Sequence, residues 1–185
     1  PKPSSAASDV YKRQELNCVV VAKQNEQEVE SWNFSSTTKQ VEESICNFDN
    51  RLQNLFSANS SINKWGLFFH QPKNWFDSRL LIIGDAAHPM LPFMAQGACA
   101  ALEDSLILDY VFKKYNDYSE IFTNFVSIRQ SRVKRIQDMS RNNRIIFHLS
   151  NKTRDLFFYL NSKFPTYFES RQQSVYKYNF FTELY

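Results

Sequence analysis

Hydrophobic and polar positions recur along this chain with two different periods, and the change of period predicts its elements. Leu16-Asn-Cys-Val-Val-Val-Ala22 is a β-branched run that predicts a strand buried on both faces. Glu30-Ser-Trp-Asn-Phe34 alternates polar with apolar and predicts a second strand, with the polar stretch 23–28 as the hairpin connection. After the capping sequence Ser36-Thr37-Thr38, Val41, Ile45, Phe48, Leu52 and Leu55 recur at three- and four-residue steps and predict one helix to about Ala58. Trp65-Gly-Leu-Phe-Phe-His70 predicts a strand stopped by Pro72. Leu80-Leu-Ile-Ile83 predicts a short, wholly apolar strand in a sheet interior. Helical periodicity returns from Gly97 to about Lys114, and again from near Tyr118 to beyond Phe147, where Ile121, Phe125, Ile128 and Arg132 share a face. Residues 152–164 predict a last helix. The Tyr- and Phe-rich tail from Pro165 is expected to pack over a neighbouring surface.

With 185 residues, 43% of them hydrophobic and 22% charged, the chain can form one domain with a substantial core. No apolar run approaches the ~20 residues that cross a bilayer, and no apolar stretch of signal-peptide type opens the chain. A cytoplasmic location is expected. The first segment, Pro1 to Gln14, is small, polar and aperiodic. It reads as an adapter-derived, non-native stretch, with a native disordered N-terminus as the alternative, and it is set aside from the expected fold. Without it, 19 basic residues face 18 acidic ones, so the chain has no bulk positive charge to offer a nucleic acid. Arg129, Arg132, Lys134, Arg135, Arg141 and Arg144 give the long helix a basic face, which reads as solvated or carboxylate-paired. Cys18, Cys46 and Cys99 are an odd count without metal spacing and fit a reducing compartment. His70, His88 and His148 are too dispersed to suggest a metal site.

The chemistry concentrates between residues 84 and 104. Gly84 follows an apolar strand and permits a sharp turn or a close ligand approach. Asp85 then stands at the carboxyl end of that strand, where open α/β sheets bind ligands. Its carboxylate either accepts hydrogen bonds from ligand hydroxyls or closes a turn on its own backbone. Pro89 and Pro92 stiffen the following loop and remove two donors, so a flat ring can lie against it. Gly97, Ala98 and Cys99 open the next helix with almost no side-chain bulk. Free amides there suit an anion, or a carbonyl that becomes anionic; small residues chosen for packing are the alternative.

The unbroken stretch Gly84-Asp-Ala-Ala-His-Pro-Met-Leu-Pro-Phe-Met-Ala-Gln-Gly97-Ala-Cys-Ala-Ala-Leu-Glu-Asp104 resembles the second flavin motif of the group A aromatic-ring flavoprotein monooxygenases, such as salicylate, 3-hydroxybenzoate and 6-hydroxynicotinate hydroxylases. Trp65-Gly-Leu-Phe68 and Trp75-Phe-Asp-Ser-Arg79 resemble the strand and turn before that motif. Residues 129–143 and Phe147-His-Leu149 resemble the family's long helix, and the similarity extends over residues 16 to about 180. The resemblance implies an α/β fold, α+β as a fragment: the C-terminal part of the FAD/NAD(P)-binding hydroxylase fold. Residues 15–78 would be the remnant of the substrate-domain sheet and helix, 79–115 the FAD-binding Gly-Asp motif with its strand, loop and helix, and 116–185 the C-terminal helices and aromatic tail.

It further implies FAD as cofactor, NAD(P)H as cosubstrate, and hydroxylation of a small aromatic substrate with O2 through a flavin C4a-hydroperoxide. Cofactor contacts would come from Gly84, Asp85 on the ribityl or ribose hydroxyls, Pro92 against the reactive ring edge, and Gly97, Ala98 and Cys99 at the pyrimidine end. Pro92 and Phe93 would shape the substrate pocket. No residue of the chain is assigned acid–base catalysis, His70 being a remote candidate, and no metal is expected. His88 reads as a buried histidine bonded to nearby backbone, and Glu103 and Asp104 as partners of the Arg-rich helix. The family's opening G-x-G-x-x-G is absent: the three glycines are Gly66, Gly84 and Gly97. The chain is therefore expected to be a C-terminal fragment, inactive and weak in FAD binding alone. The alternatives are a non-catalytic helical interaction module, and another flavoprotein branch such as an epoxidase or reductase.

Overall fold

The computed structural model describes residues 3–11, 15–22, 34–57 and 62–179. Two compact units result, one of Pro1–Leu67 with Phe147–Leu149, the other of Phe68–Ile146 with Ser150–Tyr185.

In the first unit, β1 (Pro3–Tyr11) pairs antiparallel with β2 (Glu15–Ala22), Ala7 facing Val19. The segment set aside on sequence thus takes part in a ladder. Backbone pairing needs no periodicity on one side when the other side is as β-prone as Val19-Val-Val21. β2 is a strand as expected but is not covered on both faces: Cys18 is half-buried and Val19 is exposed. The expected connection 23–28 and the expected strand over residues 30–33 lie outside the described residues. Phe34–Ser36 forms β3, paired antiparallel with β4 (Ile62–Lys64).

The single helix expected over 36–58 is two, α1 (Thr38–Ile45) and α2 (Asn50–Ser57). Thr37 caps α1 in a reciprocal box with Gln40. The break is local chemistry. Asp49 accepts from the Arg51 amide, and the Gln53 side chain donates to the carbonyls of Cys46 and Phe48, so side chains serve the backbone where helix bonds would otherwise run. Residues 65–70 form no strand, because an apolar run becomes one only beside a partner, and none pairs with it among the described residues.

In the second unit, β5 (Phe76–Asp77) and β6 (Leu80–Leu81) form a tight antiparallel hairpin turned at Ser78, whose φ is 48°. This corrects the interior strand expected at 80–83. With β5 as its one described neighbour, β6 leaves Leu80 66% exposed. A 3₁₀ turn at Gly84–Ala86, a loop, and a second 3₁₀ turn at Pro92–Met94 lead into α3 (Gly97–Lys114). α4 (Tyr118–Phe147) begins where Asp117 accepts from the amides of Ser119 and Glu120. α5 (Asn151–Lys163) and α6 (Pro165–Tyr176) follow; the described part of the tail is mostly a helix, opened by proline at its first position.

Trp75, Ile107, Val111, Ile121, Phe125 and Val133 form the main core of this unit, and Met94, Ala100, Ile136 and Val175 a second one. Helices with short antiparallel ladders make the described chain mixed α and β. No helix among the described residues is long and apolar enough to cross a membrane.

Candidate functional site

Gly84 turns the chain at φ +57°, a left-handed conformation that costs an L-residue about 1–2 kcal/mol. A Cβ there would touch Ala101 at 3.6 Å, so the turn lies directly on α3. Its carbonyl accepts from the amides of Ala87 and His88. The turn is closed by Gly84, and Asp85 is left exposed, its carboxylate accepting no hydrogen bond from the described residues. One Asp85 oxygen lies 3.8 Å from the position of a Cβ on Gly97, which places the carboxylate over the first residue of α3.

That helix start has no side-chain cap. Gln96 takes the cap position without a side-chain bond, and Ala98 and Cys99 are exposed. Its first amides have no partner within the helix. Pro92 is exposed between buried Leu91 and buried Phe93 and Met94. The sequence-derived residues Gly84, Asp85, Gly97, Ala98 and Cys99 therefore meet at one place. Phe93 is different, since its side chain is 8% exposed and packs inward.

Beneath the turn lies an ionic interior. Asp104, fully buried, accepts from the Gly84 amide at 2.8 Å and from His88 Nε2 at 2.7 Å on one oxygen, and from Arg129 Nε at 2.7 Å on the other. Arg129, equally buried, also donates to Glu103 and to the Ala100 carbonyl. Arg132 joins Glu103 to the carbonyls of Ser174 and Val175 at the end of α6. Glu103 and Asp104 are thus partners of the Arg-rich helix, as expected. His88 is buried as expected, but its ring bonds to a carboxylate rather than to backbone, and its Nδ1 has no partner among the described residues. The basic residues of α4 do not share one face. Arg129 and Arg132 point inward, while Lys134, Arg135, Arg141 and Arg144 are exposed.

Sequence reasoning missed Gln137, Ser140, Asn143 and Tyr176, which hydrogen-bond the carbonyls of Pro89, Leu91, Phe93 and Met94. Gln137, Ser140 and Asn143 signalled themselves only by their three-residue spacing on α4, and Tyr176 on α6 gave no signal. Among the described residues no cluster of His, Cys, Asp and Glu could hold a metal ion.

An uncapped helix start of small residues, with an exposed carboxylate over it and a proline presented beside it, fits a planar cofactor that carries both hydroxyls and a polar rim. The chain is 32% identical over 116 residues to the 6-hydroxynicotinate 3-monooxygenase of Bordetella bronchiseptica, a match covering 61% of this chain and 30% of the relative. To the 3-hydroxybenzoate 6-hydroxylase 1 of Aquipseudomonas alcaligenes it is 34% identical over 106 residues, or 57% of this chain and 27% of the relative. The chain thus spans about a third of the length of the curated relatives it matches. A salicylate hydroxylase in a substrate complex shares its fold with a TM-score of 0.72 at 23% identity, over 94% of this chain and 44% of that one. Residues 6–115 match the FAD binding domain family, and the chain belongs to that family.

Proposed function

We propose that this chain forms the flavin-holding part of an FAD-dependent monooxygenase acting on a small aromatic substrate. The observation that carries the proposal is the meeting of the exposed Asp85 carboxylate with the uncapped start of α3. Asp85 accepts hydrogen bonds from the sugar-alcohol hydroxyls of the cofactor. The amides of Ala98 and Cys99 donate to the pyrimidine rim, where the helix dipole favours developing negative charge. Gly97 keeps that approach open, and Gly84 sets the turn that delivers Asp85. Pro92 lies against the ring edge facing the substrate, and Phe93 shapes the substrate pocket from beneath by backing the loop.

Bound FAD supplies the redox chemistry, carrying reducing equivalents from NAD(P)H to O2 so that one oxygen atom enters the aromatic ring. The chain's own part is to orient the cofactor and shield its edge. The pyrophosphate-binding glycine fingerprint is not among its residues, so FAD binding by this chain alone is weak.

Quenching of flavin fluorescence on titration tests both statements. Weak saturable binding is expected, and Asp85→Ala should weaken it about tenfold, the worth of a charge-assisted hydrogen bond. A tight stoichiometric yellow complex overturns the claim of weak binding. Binding indifferent to Asp85 overturns the placement.

A further inference from the structure

The loop between Pro89 and Met94 carries two prolines and is short of donors, so its carbonyls must find partners elsewhere. They find them on one ridge of α4. Gln137 donates to the Pro89 carbonyl at 3.1 Å, Ser140 to that of Leu91 at 2.6 Å, and Asn143 to that of Phe93 at 3.1 Å. Three side chains at three-residue steps thus hold three carbonyls at two-residue steps. Asn143 also reaches the Met94 sulfur at 2.9 Å, while Tyr176 donates to the Met94 carbonyl from α6. Gln137 and Ser140 are 3% and 1% exposed, so these donors act away from water, where a carbonyl left unpaired is costly. Gln137 is itself fixed by the side-chain amide of Gln71.

The consequence falls on Pro92. Because the carbonyls of Leu91 and Phe93 are both drawn into α4, the residue between them is turned outward, and Pro92 is exposed while Leu91, Phe93 and Met94 are buried. We propose that Gln137, Ser140 and Asn143 are positioning residues that aim the Pro92 ring at the flavin edge. This rests on the reading of the loop given under Proposed function.

Gln137→Glu and Asn143→Asp remove the donor while keeping shape. Hydrogen exchange by mass spectrometry on the whole chain follows the peptide 90–96 as a ratio to the unsubstituted protein at the same pH, so that Asp104 and every other native group cancel. The ratio should rise about five- to tenfold at pH 7. It should fall back toward one on acidification through the new acid's own titration, which burial beside a carbonyl shifts upward and which restores a donor. Exchange in residues 118–130 should not change. A ratio of one at pH 7 in both variants, or an acceleration that survives acidification, overturns the proposal.

FAD titration completes the test. Affinity should fall by a similar factor at pH 7, and an unchanged affinity with a loosened loop overturns the positioning role. A wild-type chain with no saturable FAD binding overturns the reading of the site itself. That failure is distinct, because the exchange ratio still reports on the three donors.

Discussion

Asp104 is fully buried, yet the Gly84 amide, His88 and Arg129 all direct hydrogens at it. Burial alone would raise its pKa. The hydrogen bond from His88, the Gly84 amide, the charge of His88 and the bond from Arg129 outweigh burial and hold the carboxyl below its ordinary value of 3.8. A carboxyl whose pKa is lower folded than unfolded adds stability above the unfolded value, and that stability is lost as pH falls through the folded value. Asp104→Asn removes one of the two carboxylates that pair with buried Arg129, leaving Glu103, and should cost about 3 kcal/mol at pH 7, measured by urea unfolding. The gap between the two proteins should narrow as pH drops below 3.8, because the unfolded chain's carboxylate takes up its proton there while the native one, held lower, is still ionised. A gap that widens on acidification would contradict the assignment.

Among the elements, the second 3₁₀ turn ends on Ala95 at φ 51°, a conformation suited to glycine. Ala95→Gly should therefore stabilise the chain by about 0.5–1 kcal/mol in thermal unfolding, the reverse of the usual effect of a new glycine. α3 was legible in the sequence almost to the residue, because Ala100, Asp104, Ile107 and Val111 repeat on one buried face. The two halves around Asp49 were not legible, since the hydrophobic period runs straight across a break made by Asp49 and Gln53. α6 lacked a stripe to read: Val175 is its one buried residue. The apolar runs at 65–70 and 80–83 gave the tendency to extend but not the partner a ladder requires. At the site, small residues and a Gly-Asp turn advertised themselves. The donors on α4 did not, because a polar residue on a long helix normally faces water.

At the scale of the whole molecule, apolar surface is unevenly covered. Leu102 and Leu106 on α3 are 68% and 52% exposed, and α5 buries none of its residues, with Phe158 and Tyr159 open to solvent. The matched part is 30% and 27% of the length of the two curated relatives. Contiguous exposed apolar side chains favour association. Leu102→Glu with Leu106→Lys should lower binding of a hydrophobic dye and sharpen the monomer peak in size-exclusion chromatography. Unfolding free energy should shift by no more than about 0.5 kcal/mol, since both side chains are more than half exposed.

Arg132 has a consequence for handling the protein. One guanidinium clasps Glu103 on α3, the last carbonyls of α6, and the ring of Tyr178 at 4.1 Å. Tyr176, from the same turn, reaches Met94, 82 positions earlier. Proteolytic nicking near residue 174, or a fusion partner crowding that turn, would reach the site by two routes at once, the Arg132 clasp to α3 and the Tyr176 bond to the loop before it, so both depend on one turn staying whole.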